Sequence, residues 1–172
     1  MLADLSQLAT IADKVEGLDA TLCCVGVSAT GMSEDRYRAL TLDLTMSMAR
    51  AVAEVAPESV FIYVTGAGTD DTGRSRMMWA RVKGATELAL RGLPLRTYFF
   101  RPGLMRAVDG ETSKTLLYRV AAPIYPIARR LFPNQVSSTE EVGRAMLNVC
   151  VDGYPTQVLT TAGINTAARS AV

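Results

Sequence analysis

Apolar residues recur at Leu5, Leu8, Ala9, Ala12 and Val15, the spacing of one helical face, and Gly17 closes the run. Leu18 to Val27 is nearly all apolar and does not alternate, which predicts a strand buried on both faces of a parallel sheet. Ser28 to Ser33 is a loop of small residues whose last member can cap a helix. That helix is predicted over Glu34 to Val55, with Tyr37, Leu40, Thr41, Leu44, Met48, Ala51, Val52 and Val55 on its inner face. Pro57 breaks it, and Val60 to Val64 is a second buried strand. Gly66-Ala67-Gly68 makes a turn, Gly73 to Arg91 a second long helix, and Leu95 to Phe100 a third strand.

Strands and helices alternating over short loops predict right-handed βαβ units, hence an α/β fold with a parallel, Rossmann-like sheet flanked by helices. Beyond Arg101-Pro102-Gly103 the pattern changes. Ser113 to Phe132 is apolar and basic with two internal prolines, a broken helix. Ser138 followed by Glu141 reads as a capping box for a helix to Cys150, and Gln157 to Thr161 as a final short strand. The organisation expected is a single domain over 1–172, with a βα core at 1–103 and a C-terminal lid and helix at 104–172.

Composition narrows the chemistry. Lys plus Arg number 18 and Asp plus Glu 17, which gives no broad positive field for nucleic acid. Histidine is absent, so Ser-His-Asp and Cys-His mechanisms and His-ligated metals are excluded. Cys23, Cys24 and Cys150 have no C-x-x-C spacing and read as small core residues. No metal site is expected. The start lacks the basic and apolar blocks of a secretory leader, and the apolar run Val120 to Ala128 is interrupted by Pro123 and Pro126. That run falls short of the ~20 residues needed to cross a bilayer, and a cytoplasmic location is expected.

In open parallel sheets, ligands bind beyond the carboxyl ends of the strands. Three such ends are readable: Val25-Gly26-Val27-Ser28, Val64-Thr65-Gly66-Ala67-Gly68 and Phe100-Arg101-Pro102-Gly103. Glycines there make turns, and they also let a ligand approach the backbone. Trp79 and Lys83, four apart, share one helical face.

The run Tyr63 to Asp70, then Met78-Trp79-Ala80-Arg81-Val82-Lys83-Gly84-Ala85-Thr86-Glu87, then Phe100 to Gly103, resembles the atypical short-chain dehydrogenase/reductase superfamily. The closest resemblance is to its small NAD(P)-binding, epimerase-like branch, over about Leu18 to Val149. The resemblance implies a Rossmann-like fold, NAD or NADP as cofactor, and a Ser/Thr–Tyr–Lys catalytic group. Lys83 matches the lysine that holds the nicotinamide ribose and lowers the tyrosine pKa, and Thr65 lies near the Ser/Thr position. Gly26 and Val27 match the loop beside the adenosine half, and Pro102 and Gly103 the loop beside the nicotinamide. Asp43 falls where many members carry an asparagine. The resemblance also implies a homodimer through helices 34–55 and 74–91.

Two departures stand out. Trp79 occupies the tyrosine position. A phenol titrates near about 10 and transfers a proton, whereas an indole only donates a hydrogen bond. Catalysis as an oxidoreductase is therefore expected to be impaired, and Trp79 reads as a packing residue. Second, nothing before Leu18 resembles the Gly-rich turn that binds the cofactor pyrophosphate, so the sheet is expected to be N-terminally incomplete, with an apolar edge at Leu18 to Val27. Either a partner covers that edge, or the start is internal to a longer protein, or the fold is rearranged. Lys114, Arg119, Arg129 and Arg130 beside apolar neighbours suit a bent lid over a small-molecule site better than a membrane-surface helix. Three functional readings remain open: an altered reductase or epimerase, a non-catalytic regulatory or interaction protein on the same scaffold, and an inactive truncated product.

Overall fold

The structure, a computed structural model, describes residues 17–106, 130–131 and 134–170. The expected helix at Leu5 to Glu16 lies outside the described residues, as does nearly all of the expected lid at Ser113 to Phe132. The chain divides between Phe99 and Phe100 into two compact units.

The first unit opens on β1 (Ala20–Cys23), which pairs in parallel with β2 (Val60–Val64) in the register Ala20↔Val60 to Cys23↔Tyr63. β2 is all β-branched and aromatic, and Val60, Phe61, Ile62 and Tyr63 are fully buried. This is the strand predicted, residue for residue. β1 is different: it is shorter than the apolar run, and only Cys23 is buried while Leu22 is 42% exposed. Its position explains this, because among the described residues β1 stands at the edge of the sheet, beside β2. β3 (Arg96–Arg101) runs across the boundary between the units.

Ser33 caps the first long helix through its hydroxyl, which accepts from Arg36 N at 3.4 Å. The helix then runs as α1 (Glu34–Arg38), a π turn (Ala39–Asp43) and α2 (Leu44–Val55). A π turn inserts one extra residue, which rotates everything after it by about 100° relative to an unbroken helix. The buried face is accordingly Tyr37, Thr41, Thr45, Met46, Ala49 and Val52. Leu40, Leu44, Met48, Ala51 and Val55, expected on that face, are exposed or half-buried.

α3 (Met78–Leu90) starts five residues later than the sequence pattern implies. Asp70 is the reason. Its carboxylate accepts from Thr72 N at 2.9 Å, Thr72 Oγ1 at 2.6 Å and Ser75 N at 2.6 Å, and so holds the chain as a loop. Arg81 fastens the far end, donating from Nη1 to Ser75 O at 2.7 Å and from Nη2 to Glu34 at 2.6 Å.

In the second unit β4 (Leu104–Arg106) pairs in parallel with β5 (Val136–Ser138), a two-stranded sheet that the sequence pattern did not announce. α4 (Thr139–Asp152) begins with the predicted capping box, Glu141 N to Ser138 Oγ at 3.1 Å and Ser138 N to Glu141 Oε2 at 2.8 Å. β6 (Val158–Thr160) falls within the predicted final strand, and α5 (Thr161–Ala167) follows it directly. Of the cysteines, Cys23 is buried, but Cys24 is exposed and Cys150 half-buried, because successive strand residues face opposite ways and Cys24 follows an edge strand.

Candidate cofactor site

β1 and β2 are parallel, so both release the chain at the same edge of the sheet. Gly26 and Val27 follow β1 there. Gly26 has no atom within 4 Å of where a Cβ would stand, and Val27 is 38% exposed. Thr65 follows β2 immediately and is 6% exposed. α3 then returns along the sheet and carries Trp79, Lys83 and Glu87 at intervals of four, which places them along one side of the helix.

Lys83 and Thr65 meet. The Lys83 ammonium donates from Nζ to the Thr65 carbonyl oxygen at 2.6 Å. The Thr65 hydroxyl turns the other way and donates to Glu87 Oε1 at 2.8 Å. Glu87, which the sequence pattern does not mark as a site residue, is fully buried. The Lys83 pKa is pulled below its ordinary value by burial, and the nearby Glu87 carboxyl and then Cys23 oppose that shift. Burial also pushes the Cys23 thiol up.

Trp79 is half-buried, and its indole edge lies against the turn after β2: a Cβ built on Gly68 would stand 3.4 Å from Trp79 Cη2. Tyr63, the nearest phenol in sequence, is completely buried in β2, and burial raises its pKa further. It offers no proton to a ligand at the strand ends. Asp43 is exposed and closes the π turn.

Pro102 and Gly103 belong to the second unit. Pro102 is buried, and the Gly103 amide donates to Thr161 Oγ1 at 2.8 Å. A Cβ on Gly103 would come within 2.6 Å of the Gln135 carbonyl oxygen, so close packing beside β5 already requires glycine here. Among the described residues no group of acidic, cysteine or histidine side chains could hold a metal, and no helix is long and apolar enough to cross a membrane.

The Asp70 loop, which leads into Trp79, has a pH signature. Hydrogen bonds from Thr72, followed by the Ser75 amide, lower the Asp70 pKa from 3.8 to about 2. A depressed carboxyl contributes stability that is present above 3.8 and lost as pH falls through about 2. Thermal melts of Asp70→Asn and the unaltered chain should therefore differ most above pH 3.8 and converge toward pH 2. A constant difference across that window would show that the loop is not held by the ionised carboxylate.

No protein-family profile matches the sequence, and no curated protein does. Solved structures match over most of the chain. RMD from Pseudomonas aeruginosa, complexed with NADPH, superposes with a TM-score of 0.64 at 16% identity, over 92% of this chain and 64% of that one. The 3-alpha-hydroxysteroid dehydrogenase of a Pseudomonas species, complexed with NADH, gives 0.62 at 17%, over 93% and 80%. The 3-oxoacyl-[acyl-carrier protein] reductase from Brucella melitensis, in complex with NAD, gives 0.62 at 17%, over 100% and 78%. The chain thus spans less than two thirds of the first of these structures. At such identities the likeness speaks for architecture alone, a Rossmann-like α/β fold shared with these three structures.

Proposed function

We propose that this chain is an NAD(P)-binding protein of the short-chain dehydrogenase/reductase superfamily, akin to its atypical epimerase-like branch, with impaired oxidoreductase catalysis because Trp79 replaces the tyrosine. One observation carries the reading: α3 sets the Lys83 ammonium on the Thr65 carbonyl at the exit of β2, one helical turn beyond Trp79. The residues present fit a nucleotide there. Gly26 leaves room for close approach, Val27 offers exposed apolar surface, and Lys83 has N–H donors beyond the one given to Thr65. Lys83 would hold the nicotinamide ribose, and Gly26 and Val27 the adenosine half. Pro102 and Gly103, in the second unit, enter through the resemblance, as the loop beside the nicotinamide. When bound, the cofactor supplies or accepts hydride, and the catalytic part left to this chain falls to Thr65 and Lys83.

A small molecule is the expected second ligand, and the cytoplasm the expected location. A homodimer through the outer sides of helices 34–55 and 74–91 belongs to the same reading, and Leu88 on α3 is 52% exposed. The alternative of a non-catalytic regulatory or interaction protein draws on Thr65, whose hydroxyl proton is committed to Glu87.

Titration calorimetry with NADPH and NADP tests the proposal. Binding by the unaltered chain is expected, and Lys83→Ala should weaken it about tenfold or more, the usual worth of a charge-assisted hydrogen bond. A folded sample that gives no heat at about millimolar cofactor, a concentration that would reveal even weak binding, would sink it.

A further inference from the structure

A carboxyl group buried without a partner is costly, and α3 otherwise turns Ala80, Val82, Gly84, Thr86 and Leu90 inward. Glu87 is 0% exposed among them. Its place in the chain of contacts is specific. Glu87 Oε1 accepts the Thr65 hydroxyl at 2.8 Å, and the carbonyl of the same threonine accepts Lys83 Nζ at 2.6 Å. Thr65 is therefore held at its hydroxyl and at its carbonyl by two residues one helical turn apart. A glutamine could accept the hydroxyl equally well. What only the glutamate brings is negative charge beside a cation that burial disfavours.

We propose that Glu87 is the positioning residue of this site, a buried carboxylate that locks Thr65 at the exit of β2 and stands one helical turn from the Lys83 ammonium as its counter-charge. This rests on Lys83 being the cation that faces the cofactor. The other titratable group acting on Lys83 is the Cys23 thiol of β1, which burial keeps protonated, so the carboxyl of Glu87 is the principal counter-charge. With Glu87 in place, Lys83 enters binding as a cation with a fixed direction.

The decisive measurement is the Lys83 titration in the ligand-free chain, followed through its side-chain NMR resonances. Glu87→Gln should lower the Lys83 pKa by about one unit or more, the usual effect of removing an opposite charge at this range. Leu147→Gln, an exposed control on α4, should leave it in place. NADPH affinity should then fall off at a correspondingly lower pH in Glu87→Gln than in the unaltered chain. A Lys83 pKa that does not move overturns the proposal. Should Glu87→Gln not fold, the side-chain carboxyl resonance of Glu87 in the unaltered chain decides: ionised at pH 7 supports the role, and protonated refutes it. Absence of NADPH binding would remove the cofactor reading and leave the Lys83 titration free to answer for Glu87.

Discussion

Gly84→Ala will lower the stability of this protein by about 2 kcal/mol or more. Two effects oppose each other. Alanine favours a helix interior over glycine by about 1 kcal/mol, so on an open helix the substitution would stabilise. Here a Cβ would be driven into the carbonyl of Asp70 and would stand 2.6 Å from Asp71 N. Neither group is the free end of a flexible side chain. Asp70 is held by its own bonds to Thr72 and Ser75, and its amide donates to the Ala80 carbonyl at 3.1 Å. Overpacking against fixed backbone typically costs about 3 kcal/mol at its upper range, which exceeds the helix gain. For a chain of this size the net loss corresponds to a fall in melting temperature of about 4–8 °C. Calorimetry of the variant would show it, and a melting temperature unchanged or raised would mean that the loop yields. Because the loop joins Thr65 to Trp79, the variant should also weaken any ligand held at the end of β2.

Gly84 shows what kind of information the sequence holds. A glycine in a helical run reads as a mild weakness, and only the fold reveals the loop backbone lying against it. The elements with strong periodicity were legible: β2 to the residue, the Ser33 cap, and the capping box of Ser138 and Glu141. The inner face of the first long helix was not, because the spacing rule assumes 3.6 residues per turn and the π turn at Ala39–Asp43 breaks phase without any proline or glycine to mark it. The start of α3 was misplaced because Asp70 collects loop hydrogen bonds that a pattern of apolar positions does not register. β4 and β5, three residues each and separated by positions 107–135, are too short to show a period. In the site, Lys83 and Thr65 were both named from the sequence and are in contact. Glu87 was within the quoted motif, yet a glutamate on a helix normally reads as solvated. Its burial depends on Thr65, which lies 22 residues away.

On the proposed function, Trp79→Tyr should raise the rate of NADPH-dependent carbonyl reduction by about 10²- to 10⁴-fold, the range that a positioned general acid contributes. There is no histidine in the chain, and Tyr63 is sealed in β2 with a raised pKa. The Thr65 hydroxyl gives its hydrogen to Glu87. Lys83 is already where an ammonium would lower the pKa of a phenol one turn before it on the same helix. What position 79 lacks is a proton that can leave: the indole N–H donates a hydrogen bond but does not ionise. Tyrosine there supplies a group of pKa about 10, brought toward neutrality by Lys83. The exchange is a modest one, since Trp79 is only half-buried and tyrosine is the smaller side chain. Trp79→Phe separates chemistry from shape, because it opens the same space without a phenol. The expected order of turnover, followed by loss of reduced nicotinamide absorbance with a panel of small ketones, is Tyr far above Phe and Trp. Activity should fall at high pH as the phenol ionises. A Tyr variant that binds NADPH but turns over no faster than Phe would show that the proton is not what this site is missing.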